Sequence, residues 1–209
     1  MRLAVLGLLA ASFVLGGGAR AETKLDDIIS AVNAGQAELD KVDALLADPN
    51  RNKRIAAMTL LLKSDNPSFV ARAKEIGLTS ADTEMQAAAL GAIFDAGGPF
   101  KMIFDLSKSD DEKNGVKRWL GGEGSWDEGS QRALYVFKTN PYDPKKKCWS
   151  PTVAASDCVF TIVGRTIAFG PWSYGVGSFE LNGEGKLVGT FRYANGDNVP
   201  VAVEIPLME

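Results

Sequence analysis

Val159-Phe160-Thr161-Ile162-Val163-Gly164-Arg165-Thr166-Ile167-Ala168-Phe169 decides how the chain is read. Both runs flanking Gly164 are rich in β-branched and aromatic residues, which suit a pleated, half-buried surface. Glycine takes positive φ without steric cost, so Gly164 predicts a tight hairpin between two strands. This pair sits inside the wider stretch from Cys148 to Leu181, which also holds both cysteines, Trp149 and Trp172.

Working outward, strands are expected over 133–138, 158–163, 165–169, 175–181, 186–193 and 199–205. Asn182-Gly183 and Asn195-Gly196 fall between runs, where hairpin turns belong. Alternation in Ser178-Phe179-Glu180-Leu181 and from Val199 to Ile205 predicts a sheet with one wet face. Six short strands suggest a small antiparallel β-sandwich or an open barrel over residues 131–209. Thirteen of the eighteen aromatic residues lie from Trp119 onward, so composition changes near this point. Residues 121–130, with four glycines and no aliphatic side chain, read as a linker.

Upstream, residues 22–120 read as helical. Leu25, Ile28, Ile29, Val32, Gln36, Leu39, Val42 and Leu46 follow the spacing that lines one helix face. Asp48-Pro49-Asn50 ends that segment, because proline cannot continue a helix interior. Another helix fits Asp110 to Leu120, with acids at its start and Lys117-Arg118 near its end, both favourable to the helix dipole. Helices first and strands later make an α+β chain.

A weak internal repeat links 48–67 to 80–99. Ala56-Ala57-Met58 falls on Ala88-Ala89-Leu90, Leu61-Leu62 on Ile93-Phe94, and Pro67 on Pro99, each proline being expected to start a short helix. The Asp48…Arg54-x-Ala56-Ala57…Leu61 register resembles HEAT-type helical repeats. That resemblance covers about a quarter of the chain and implies a stacked-helix scaffold of the kind that holds partners. An ordinary helical bundle fits the same pattern.

The first residues bear on compartment. Met1-Arg2, an apolar run from Leu3 to Leu15 and an Ala19-Arg20-Ala21 ending have the form of a secretory leader, with cleavage after Ala21. The run is too short for a membrane span, which needs roughly 20 apolar residues. The chain is therefore expected in the periplasm or outside the cell, and not membrane-spanning. In such a compartment Cys148 and Cys158, the only cysteines, are expected to form a disulfide. Losing Arg2 and Arg20 with the leader leaves 21 basic residues against 26 acidic ones. With no basic stripe, nucleic acid is not an expected partner.

Chemistry is constrained by what is missing. The chain has no histidine, so it has no imidazole base and no His-ligated metal. Gly121-Gly122-Glu123-Gly124 lacks the lysine of a phosphate loop. No catalytic, cofactor-binding or metal-ligating residue is assigned, although Glu123, Asp127 and Glu128 beside Trp126 could form a carboxylate site. Trp149, Trp172 and Tyr174 are the candidate binding residues, since large rigid rings on loops give contact area at low entropic cost. Lys145-Lys146-Lys147 is a candidate anion-binding patch in an otherwise acidic chain.

These features together read as an exported envelope protein acting as a non-catalytic binding module. A helical scaffold would carry an aromatic-rich β recognition domain, and the partner would be a protein or glycan of the envelope. The alternative is a carbohydrate-active protein that binds or cleaves a glycan with carboxylates.

Overall fold

The computed structural model describes residues 24–108, 110–195 and 198–208; the leader and its cleavage point lie outside these. The chain divides into two compact units, 1–37 and 38–209. In the first, the described residues open helix α1 (Leu25–Leu46), and none of its side chains up to Ala37 is buried. Among the described residues no helix is long and apolar enough to cross a membrane.

The second unit begins with the rest of α1, followed by α2 (Arg51–Leu61), α3 (Pro67–Thr79) and α4 (Thr83–Asp95). Each start is fixed locally. The Asn50 side chain accepts from the amides of Asn52 and Lys53, Asn66 accepts from Ser68 ahead of Pro67 at the first turn, and Asp82 accepts from Glu84. Arg51 forks onto Asp82 at 2.7 and 2.9 Å and reaches Glu84 at 2.9 Å, tying the start of α2 to the start of α4. Gly77 lets α3 lie close to α4, since a Cβ there would stand 2.5 Å from that of Ala89. Val42, Leu46, Met58, Ala73 and Met85 form the core of this bundle.

The helical expectation fails after α4. Gly97 and Gly98 both take positive φ, and Phe100–Asp105 is a strand, β1, where a helix was expected to start at Pro99. Pro67 opens helix α3 as expected, whereas Pro99 precedes a strand. Tertiary pairing decides the matter. Phe100, Met102 and Phe104 face inward, and β1 is hydrogen-bonded on both sides. Helix α5 (Asp110–Leu120) follows with the expected bounds. The glycine-rich linker holds a short strand, β2 (Ser125–Asp127), which pairs with β3 (Arg132–Phe137).

The remaining strands are β4 (Phe160–Val163), β5 (Thr166–Trp172), β6 (Gly175–Leu181), β7 (Lys186–Tyr193) and β8 (Val201–Pro206). All eight form one antiparallel sheet in the order β2-β3-β1-β8-β7-β6-β5-β4. The sheet is open, as no ladder joins its first and last strands. It is nevertheless strongly curled. Phe137 of β3 stacks on Phe160 of β4 at 5.1 Å, although the two strands lie near opposite edges. Isolated bridges Thr139–Pro151 and Trp149–Phe160 run the intervening chain across that gap. Phe94, Phe104, Phe160, Phe179 and Phe191 fill the interior, with α4 supplying Leu90, Ile93 and Phe94.

Hairpin chemistry explains how the rings are distributed. Gly164 has φ +63°, as the β4–β5 turn requires. Trp172 pairs with Gly175, leaving a two-residue loop in which Ser173 and Tyr174 both have positive φ, the signature of a type I′ turn. Trp172 thus belongs to strand β5 and Tyr174 to the turn.

Candidate functional site

The bridge between Cys148 and Cys158 is formed, with Cα atoms 5.6 Å apart. Its loop includes a 3-10 turn over Thr152–Ala154. Val153, Ala154 and Asp157 from this loop make one wall of a cavity at the open end of the curled sheet. Trp119 at the end of α5 and Glu123 just beyond it make a second wall; Tyr135 of β3, with Trp172 and Ser173 of the β5–β6 hairpin, completes the lining. The cavity measures about 220 Å³.

The rings at this mouth pack against one another. Trp119 lies 5.1 Å from Tyr135 and 5.5 Å from Trp172, both edge-on, and Tyr135 lies 5.6 Å from Trp172. At these separations no ligand fits between the rings, which form a floor. The indole nitrogen of Trp119 donates to the Trp172 carbonyl at 3.0 Å, locking α5 to the hairpin. The Tyr135 hydroxyl donates to Glu123 Oε2 at 3.2 Å. Burial pushes that phenol up to about 12, with the Glu123 charge adding to the effect. Tyr135 is therefore a protonated donor at any physiological pH. The lining holds two carboxylates, Glu123 and Asp157, and no basic residue.

The display expected of the tryptophans is corrected by their burial. Trp172 is 5% exposed and Trp149 6% exposed, whereas Tyr174 is 62% exposed. A curled sheet with its ends apart must fill a wide interior, and indoles do so. Trp149 donates from its indole nitrogen to Asp95 at 2.8 Å, packs on Tyr142 at 4.7 Å and lies over Gly91 of α4. Tyr174 meets Tyr193 edge-on at 6.5 Å and does not line the mouth.

Lys145, Lys146 and Lys147 form an exposed turn organised by Asp143, whose Oδ1 accepts from the amides of Lys145 and Lys146. Those amides hold the Asp143 carboxyl below the usual carboxylate range. Lys146 Nζ donates to the Ser156 carbonyl at 2.9 Å, and the Ser156 hydroxyl reaches Asp157 at 3.0 Å. The lysine turn thus braces the same disulfide loop from outside. Among the acids beside Trp126, Asp127 is engaged by Ser130 and Gly129 in its own turn; Glu123 alone lines the mouth. Lys117 caps the Trp126 ring at 4.3 Å.

Of the residues lining the mouth, the sequence pointed to Trp172 and Glu123 and not to Trp119, Tyr135 or Asp157; Trp149 and Tyr174 do not line it. Trp119 carried a readable signal, as the last aromatic residue of an amphipathic helix ahead of Gly121-Gly122. Comparison of the chain with protein-family models, curated proteins and solved structures gives no match.

Proposed function

We propose that this protein is an exported, non-catalytic binding module of the cell envelope. In this reading the mouth takes a small polar group presented by an envelope protein or glycan. The observation that carries it is the lining: two carboxylates, one of them held by the Tyr135 hydroxyl, over an aromatic floor and with no basic residue among them. Such a site repels anions and accepts hydroxyl or cationic groups. One wall is the loop closed by Cys148 and Cys158, so little ordering is left to be done on binding. The leader-like first residues and the disulfide support the compartment. Lys145, Lys146 and Lys147 would serve as a shoulder of opposite charge for the same partner.

The test is a titration followed by tryptophan fluorescence, to which half-buried Trp119 reports. Neutral oligosaccharides and short basic peptides are the probes. Glu123→Gln with Asp157→Asn should weaken the responding probe at least tenfold while the melting temperature holds. A response that survives both substitutions, or no response to either probe class, would remove the mouth as a site. The second reading, glycan cleavage, is favoured by the two carboxylates from separate segments lining one cavity, the acid pairing that glycosidases use. New reducing ends released by the wild type and not by Glu123→Gln would establish it.

A further inference from the structure

On α1, Leu25, Ile28, Ile29 and Val32 stand at positions i, i+3, i+4 and i+7, the spacing with which an amphipathic helix anchors in a groove. All four are exposed, Leu25 and Val32 by 69% and 64%. Asp26 and Asp27 lie in the same first turn. From Ile28 to Ala37 there is no charged residue.

A cavity of about 450 Å³ lies among α2, α3 and α4. Its apolar lining is Leu62, Val70 and the small residues Ala88 and Ala92 of α4, whose short side chains leave room for a helix; Gly91, also in the lining, is covered by the Trp149 indole. Lys63 and Lys74 also line it, and neither is in an ion pair among the described residues. Its single carboxylate, Asp95, is occupied by the Trp149 indole and the Tyr142 amide. The groove is therefore apolar with basic margins, and the stripe is apolar with acidic margins.

We propose that two copies of this chain pair reciprocally, the α1 stripe of each lying in the α2–α3–α4 groove of the other. The match of apolar character and the opposite charge signs select a second copy as the occupant. Each copy supplies one stripe and one groove, so a two-fold pairing in which each stripe meets the other copy's groove leaves neither face open. An anionic membrane surface would be repelled by Asp26 and Asp27 at the leading turn.

Sedimentation equilibrium of the full chain without its leader, over about 1–100 µM, tests this. The wild type should be a dimer. Val32→Glu, at a position exposed on the helix, should yield monomer with an unchanged circular dichroism spectrum. Ala92→Glu should do the same from the groove side. Asp26→Lys with Asp27→Lys should weaken the dimer at least tenfold, as should Lys63→Glu with Lys74→Glu. The four changes together should restore it, which also covers the case in which Ala92→Glu does not fold. A wild type that is monomeric at every concentration overturns the proposal. So does a dimer that responds to the α1 changes and ignores those in the groove, since α1 would then pair with α1. Neither outcome depends on whether the sheet's mouth takes a ligand.

Discussion

Replacing Trp172 with alanine separates a ring that holds the fold together from one held out for a partner. Its indole touches Trp119, Tyr135, Phe137 and Phe169, at centroid distances of 5.5–6.4 Å. The residue is nearly sealed from solvent, so truncation leaves a cavity that four other rings can close only in part. Buried tryptophan-to-alanine changes cost about 3–5 kcal/mol. For a domain of this size each kcal/mol shifts the melting temperature by about 2–4 °C, so a fall of roughly 6–20 °C is expected. The Trp172 carbonyl that accepts from Trp119 remains in the variant, so the loss measured is packing. Tyr174→Ala is the control: the side chain is exposed in the adjacent turn, and changes at such positions stay within about 0.5 kcal/mol. Near-ultraviolet circular dichroism melts of both variants read the difference. A Trp172→Ala protein that melts within about 2 °C of the wild type would refute the packing account.

Three further outcomes are expected. Cys148→Ser with Cys158→Ser should lower stability by about 2–3 kcal/mol in urea unfolding, the value for a loop of roughly ten residues, and should loosen the mouth wall as well. Alkaline titration at 295 nm should show a late ionisation from Tyr135, and Tyr135→Phe should remove that step. Because the folded phenol of Tyr135 is raised to about 12 and the unfolded one sits near 10, the unfolded chain loses its proton first. Stability is thus intact below about pH 10 and declines between about 10 and 12; a flat profile there would count against the buried donor. Gly77→Ala should cost about 1–3 kcal/mol by forcing α3 off α4, measured by thermal melting against Gly35→Ala, where a Cβ meets nothing.

How far the sequence was legible can be judged element by element. Helix α5 and the strands from Phe160 onward follow from local signals: end charges in the one, alternation and turn glycines in the others. The β1 segment carried alternation too, in Phe100-Lys101-Met102-Ile103-Phe104-Asp105. There the helical repeat register and Pro99 pointed the other way, and two hydrogen-bonded neighbours, invisible locally, decided for strand. The expected strand over 165–169 stops short of Trp172, yet β5 continues through Gly170-Pro171 with a register irregularity. The mouth was hardest to read. Its residues come from α5, the chain beyond it, β3, the disulfide loop and the β5–β6 hairpin, and only the curl of the sheet brings them together.

That late-arriving geometry has a consequence for the life of the chain on and after the ribosome. Strand β8 lies inside the sheet with β1 on one side, where Phe104 lies opposite Val203. Strand β8 is also the partner of β7, so one terminal segment stitches two otherwise separate ladders into one surface. Until residues 201–206 are made, β1 and β7 each present an unsatisfied edge, which is a template for aggregation. Loss of β8 would therefore part the β2-β3-β1 ladder from the β7-β6-β5-β4 ladder.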